Sequence, residues 1–198
     1  MRFPNEVVAI LTGASFAAGL NVYATVATLG LLGRAGVAPL PPSLHLLESW
    51  WVIGISAAMF VVEFFADKIP AFDLVWNALQ TFVRVPVAAL LAYGATAQLS
   101  PPAQIAGALI GGLIALAAHG GKTAARVAVT PSPEPFSNIA LSAGEDVASV
   151  GLTWLATAHP YLTAGIVGVL VLLIVLSVRF VVRSLRSLFR GAERQMAA

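Results

Sequence analysis

The sequence predicts an all-α fold: a polytopic transmembrane bundle of six helices, followed by a basic amphipathic C-terminal extension. Three observations predict it. Of 198 residues, 59% are hydrophobic and only 10% are charged, with a mean hydropathy of +0.88. Soluble domains carry roughly 25% charged residues, and a chain this short cannot hide so much apolar surface in one water-soluble core. Six stretches approach the ~20 apolar residues that a spanning helix needs. Finally, nearly all Lys and Arg fall on one side when the connections alternate across a membrane.

The first stretch is Val7 to Leu32, ended by the Gly/Pro breaker "GRAGVAPLPP". Arg2 and the apolar run after it resemble a leader. Glu6 directly precedes that run, however, and the run continues to Leu32, so it is read as an uncleaved first membrane helix. The linker "GVAPLPPSLHLLES" predicts a short interfacial helix from Pro42, with His45 and Glu48 as a solvated pair. The second stretch is Trp50 to Phe65. The third, Leu74 to Tyr93, opens after Pro70 and closes at "YGATAQLSPP". The fourth is Ala103 to about Val127, broken by "TPSPEP". The fifth is Phe136 to Ala158, broken at His159-Pro160. The sixth, Tyr161 to about Val182, runs on into the tail 179–198 and is polar almost nowhere, so it is expected on the outside of the bundle. Residues 1–190 form one domain.

With six spans, Arg2, Lys68, Lys122, Arg126 and the tail arginines (Arg179, Arg183, Arg186, Arg190 and Arg194) share one side, and Arg34 is alone on the other. The positive-inside rule then makes both termini cytoplasmic in a multi-pass protein of a bacterial inner membrane. In the tail, Arg179, Arg183, Arg186 and Arg190 recur at helical spacing, which suits an anionic lipid surface.

The polar residues inside the spans are not scattered. Glu63 and Asp67 share one face of the second helix, with Lys68 beside them. On the third, Asp73, Asn77, Gln80 and Arg84 follow helical spacing, and Thr81 extends the same stripe. His119, Lys122 and Arg126 do so on the fourth. Asn138, Ser142, Glu145 and Ser149 form a stripe on the fifth, with Asp146 adjacent. Ala17, Asn21 and Thr25 give the first a mildly polar stripe above Gly13. Lipid rejects such faces, so they are expected to turn toward one another or toward water. Their charges nearly cancel, which allows pairing across helices. Glu63, Glu145 and Arg84 lie deepest, away from any route by which a long side chain reaches the interface.

Six helices also permit two inverted halves, 1–98 and 99–190. Superposing the first helix on the fourth matches Leu11 with Leu109, Gly13 with Gly111, Ala17 with Ala115 and Thr25 with Thr123, and sets Asn21 opposite His119. Such a repeat brings Glu63 and Glu145 together near the midplane.

Through "GLNVYA", "EFFADKIPAFD", "FVRVP", "HGGKTAARVAV", "SPEPFSNIALSAGED" and the basic tail, the chain resembles a family of small bacterial integral membrane proteins defined as a domain of unknown function. The resemblance spans about Glu6 to Arg190 and implies six helices, with nothing about activity. More distantly it is similar to LysE-like exporters and cation/proton exchangers, which have three-plus-three inverted repeats. The exchangers carry a Glu-x-Gly-Asp-Lys/Arg-Ser/Thr signature in each half. "EFFADK" has its acids four apart and lacks the glycine, and "GEDVAS" lacks the lysine. The resemblance therefore implies an ion-binding role for Glu63, Asp67, Glu145 and Asp146 only.

The functional expectation is a secondary transporter for a small solute or cation, coupled to protons or ions through its intramembrane carboxylates. Glu63, Asp67, Glu145, Asp146, Asn21, Asn138 and Ser142 form the candidate binding set. Lys68, Asp73, Asn77, Arg84, His119, Lys122 and Arg126 are candidate gates or counter-ions. Oxygen ligands suit hard cations, but whether a metal binds, and which, is open. The alternative is a non-transporting scaffold, subunit or lipid-binding protein locked by buried ion pairs. No enzymatic motif occurs, since His-Glu-x-x-His and Gly-x-Ser-x-Gly are both absent. Without cysteines, disulfides, thiolate metal sites and thiol catalysis are excluded. No cofactor and no nucleic acid is expected, because the pI of about 9.4 comes mainly from the tail. The expected partners are the bilayer, anionic lipid at the tail, a small solute or cation, and further copies of the chain in a homo-oligomer.

Overall fold

The computed structural model describes residues 4–129 and 135–196. Among them it is all-α, with no strand: α1 (Pro4–Leu20), α2 (Val22–Arg34), a 3-10 helix (Pro42–Glu48), α3 (Trp50–Ala66), α4 (Pro70–Ala95), α5 (Pro101–Val129), α6 (Pro135–Ala158) and α7 (Pro160–Met196). Proline opens α1, α4, α5, α6, α7 and the 3-10 helix. At a first helical position its missing N–H sacrifices no bond and its fixed φ already suits the helix. The short helix expected from Pro42 is present, though tighter than an α-helix.

The first expected span is not one helix. It breaks at Asn21, whose backbone is extended (φ −149°, ψ 104°) and whose side-chain oxygen accepts the Ala24 N–H at 3.0 Å, capping α2. The two pieces double back. α1 runs parallel to α5: Leu11 lies by Gly107, Ser15 by Gly111, and Gly19 against the backbone of Ala115. α2 returns the other way, with Gly30 against Leu47 and Ile53, and Gly33 against Glu48. Val7 to Leu32 is thus a helical hairpin whose tip, Leu20-Asn21, lies inside the bundle.

The same contacts order the bundle. At its loop end lie Pro4, the 35–49 linker, the α4–α5 connection and His159. At its tail end lie the α3–α4 connection and the last turns of α7, since Thr163 meets Gly13 and Ile174 meets Gly121. The start of α1 and the end of α7 are therefore at opposite ends, where the sequence placed both termini on one side. The inverted repeat is not seen either. α1 and α5 run parallel, and α5 stays helical at His119, the position matched to Asn21.

Among the described residues, three helices are long and apolar enough to cross a membrane: Val75–Ala95, Pro101–Arg126 and Pro160–Arg183. The 3-10 helix and α3 qualify jointly as a fourth, bent by 62°. α6 falls short alone because Glu145, Asp146, Ser142 and Ser149 interrupt its apolar run. The polarity is inside-out. Trp51, Phe82, Leu113 and Leu172 are exposed, while Glu63, Asp67, Arg84 and Lys122 are buried. That distribution suits lipid as the solvent, and this is a membrane protein. α7 lies on the outside, as its apolar sequence predicts; Arg179, Arg183 and Arg186 are exposed, and the side chains of Arg190 and Arg194 lie outside the described residues.

Small residues permit the close approaches. A Cβ at Gly19 would strike the Ala115 carbonyl oxygen and fall 2.7 Å from the Ala118 Cβ. Gly19→Val is expected to loosen the hairpin tip and destabilise the fold by about 1–3 kcal/mol, the range for overpacking. Gly54, whose Cβ would meet open space, is the control. Thermal unfolding in detergent checks this: equal midpoints for Gly19→Val and Gly54→Val would contradict the packing described.

Candidate functional site

The polar stripes converge around the hairpin tip, toward the tail end of the bundle. Helical spacing does the local work: each stripe recurs every three or four residues and so shares one helix face. α3 brings Glu63 and Asp67, α4 brings Asn77 and Arg84, α5 brings His119, Lys122 and Arg126, and α6 brings Ser142, Glu145 and Asp146. Asn77, Arg84, His119, Lys122, Arg126, Ser142 and Asp146 are all buried, and Glu63 and Asp67 completely so.

Arg84 pairs with Glu63, and both side chains are fully buried. The same guanidinium donates to Nδ1 of His119 at 2.8 Å and to the Asn77 side-chain oxygen at 3.4 Å. A guanidinium can only donate, so His119 Nδ1 accepts and its proton is on Nε2. From there it faces the Asn77 carbonyl at 3.0 Å and the Thr81 hydroxyl at 2.8 Å. His119, expected as a gate or counter-ion, is thus a hydrogen-bonded bridge between α4 and α5.

Lys122 stands at the centre. Its ammonium lies 3.2 Å from Asp67 Oδ2, 3.2 Å from Glu145 Oε2 and 3.6 Å from Glu63 Oε1. Arg126 joins the same acids, at 2.8 Å from Asp67 Oδ2 and 2.5 Å from Glu145 Oε2. It also donates to the Asp67 carbonyl at 3.4 Å, just past the end of α3.

The break at Asn21 is built into this network. It leaves the last carbonyls of α1 without helical partners. Lys122 donates to the Leu20 carbonyl at 3.2 Å and Arg84 to the Gly19 carbonyl at 3.5 Å. Cations here also meet the negative end of the α1 dipole. On the other side of the break, the Asn21 amide donates to Asp146 Oδ1 at 2.9 Å. One asparagine therefore caps α2 and holds α6.

Among the described residues, the carboxylates of Glu63, Asp67, Glu145 and Asp146 gather around the cations of Arg84, Lys122 and Arg126, with the charge of Lys68 acting on Asp146 and Asp67 from the side. Asp146 makes none of the ion pairs among the described residues. Glu63 Oε2, Asp67 Oδ1, Asp146 Oδ2 and Ser142 Oγ are buried without a hydrogen-bond partner. No group of three His, Asp or Glu side chains among the described residues is placed to hold a metal ion.

Of the expected gates, Lys68 makes no ion pair among the described residues; its ammonium donates to the Phe64 carbonyl at 2.7 Å, while its charge still acts on Asp146 and Asp67. The side chains of Asp73 and Asn138 lie outside the described residues. His45 and Glu48 do not pair: the imidazole meets the Leu40 carbonyl at 3.1 Å. The sequence did not point to the carbonyls of Gly19 and Leu20. Their only signal was "GLN", a small residue and a good N-cap inside an apolar run.

A cavity of about 620 Å³ opens at the loop end, lined by Leu11, Ser15, Leu29, Leu40, Ala92 and Thr157 among others, and by no charged residue. The Ser15 hydroxyl there is buried and unpartnered. The cavity does not reach Glu63. Ala18, Ala88 and Ala115 pack into a buried apolar layer, each one turn from Asn21, Arg84 or His119, and separate the two.

A family model described as "Domain of unknown function (DUF4126)" matches residues 8–180. The chain belongs to this family. No curated protein and no solved structure matches it. For this DUF4126 member, activity has to be argued from the geometry above.

Removing one partner of a buried pair typically costs about 3–5 kcal/mol, because the other charge is stranded. Arg84→Met is expected to destabilise by that order, and Glu63→Gln in the same chain to restore a large part of it. Denaturant unfolding in mixed micelles measures both. If the double variant is as weak as the two losses summed, the residues do not interact as described.

Proposed function

We propose that this protein is an ion-coupled secondary carrier for a small solute in a bacterial inner membrane. In this reading α3 to α7 cross the bilayer and α1–α2 form a re-entrant hairpin entering from the loop end. Irregular backbone at membrane depth is tolerated where protein buries it, and carriers place their sites at broken helices of this kind. Lys68, Arg126 and the α7 arginines lie toward the tail end and Arg34 at the loop end, so the positive-inside rule puts the tail in the cytoplasm. The start of α1 then faces the opposite compartment.

One observation carries the reading. The hairpin tip stands between a solute-sized, uncharged cavity at one end and, toward the other, a buried network in which the carboxylate of Asp146 makes no ion pair among the described residues. Ligand sites commonly enclose ~300–1,000 Å³ with mostly apolar walls. The basic groups are engaged by carboxylates, which favours an uncharged solute in the cavity over an anion on Arg84 or Lys122. A tilt of the tip that opens the alanine layer exchanges access between the two ends. A single observation favours the scaffold reading instead: three of the four acids are already paired with cations.

Proteoliposomes discriminate. Wild type is expected to give pH-dependent flux within a panel of monovalent cations and small uncharged solutes. Glu63→Gln, Glu145→Gln and the cavity-filling Ala92→Phe are expected to fall to the level of empty vesicles. Wild-type vesicles as silent as empty ones across the whole panel would leave the scaffold reading standing.

A further inference from the structure

We propose that Asp146 is the exchangeable proton site of the buried network. Glu63, Asp67 and Glu145 each lie within 3.6 Å of at least one cationic nitrogen. Asp146, 6% exposed, has only the amide of Asn21 on Oδ1, and its Oδ2 is buried without a partner. One turn back on α6, Ser142 is fully buried and its hydroxyl is also unpartnered. An acceptor therefore waits on the face where a protonated Oδ2 needs one.

The neighbours define the charge that Asp146 meets. α1–α2 offers Asn21, and its one titratable side chain near the tip, Tyr23, is engaged by Gln80. α3 brings Glu63 and Asp67, with Lys68 just beyond; α5 brings Lys122 and Arg126; α6 brings Glu145. α4 brings Arg84, held by Glu63. α7 has no titratable side chain between Tyr161 and Arg179. Among the described residues Asp146 is the acid of this network without an ion pair, so its ionised form lies buried with no cationic nitrogen in contact, which burial strongly disfavours. A proton from water on Asp146 makes it neutral and returns to water on release; no other bond changes. Glu145, with a side chain 10% exposed, is the most accessible of the three paired acids.

The site touches the moving part. Ionised Asp146 attracts both the Asn21 amide and the positive start of α2; protonation weakens both and frees the tip. That coupling rests on the carrier reading, whereas the proton site does not.

Infrared difference spectroscopy on the full chain in vesicles tests it. The chain has three aspartates, Asp67, Asp73 and Asp146, so isotope-labelled aspartate marks few groups. A protonated-carboxyl stretch is expected to vary with pH, to shift with labelled aspartate and to vanish in Asp146→Asn. In Asp146→Glu, which guards against a misfolded Asp146→Asn, the band is expected to follow labelled glutamate instead. A band that follows labelled glutamate in wild type, survives Asp146→Asn, or appears at no pH overturns the proposal. A band assigned to Asp146 without any flux in the same vesicles upholds the proton site and removes the carrier reading.

Discussion

The ammonium of Lys122 is the point on which the fold turns. It supports the end of α1 through the Leu20 carbonyl and draws in acids from α3 and α6. Four elements thus meet at one cation. Lysine suits this place because its three N–H donors radiate from a point, whereas a guanidinium presents a flat fork. Arg84 and Arg126 do the flat work on either side, bridging α4 to α3 and α5 to both α3 and α6. In a medium where apolar contact gives helices little reason to associate, such directional bonds, with the close glycine contacts, choose which faces meet.

The sequence disclosed much of this site and little of its topology. Stripes at helical spacing placed Glu63, Asp67, Arg84, Lys122 and Glu145 on inward faces, because lipid admits no other disposition, and near-equal charge told of pairing. The break at Asn21 was hidden. Val7 to Leu32 reads as one uninterrupted apolar helix, and what makes a break tolerable lies far along the chain: Arg84 is 65 residues from Gly19 and Lys122 is 102 from Leu20. No local pattern encodes a cap delivered from that distance. The loss propagates, since a hairpin in place of one straight helix puts the start of α1 at the loop end of the bundle and sets α1 parallel to α5, against the symmetry that an inverted repeat requires. The cavity was equally silent, being formed by alanines and leucines that look like any lipid-facing wall.

Asp146 shows why counting charges is less informative than placing them. On paper it belongs with Glu145 next to it. In the fold the two differ by one residue on a helix, about 100° of rotation: Glu145 turns to Lys122 and Arg126, while Asp146 turns to the asparagine that starts α2. Among the described acids of the network, its carboxylate is the one held by a neutral donor alone.

The hairpin also sets an order for assembly. Synthesis delivers α1 and α2 before α4, α5 and α6, yet among the described residues the side chains that anchor the tip belong to those later helices. Until Lys122 and Asp146 have left the ribosome, the exposed carbonyls of Gly19 and Leu20 and the amide of Asn21 have no seat in the bilayer. The hairpin tip thus takes its final seat only once those later helices are in place, so its packing waits on residues made after it.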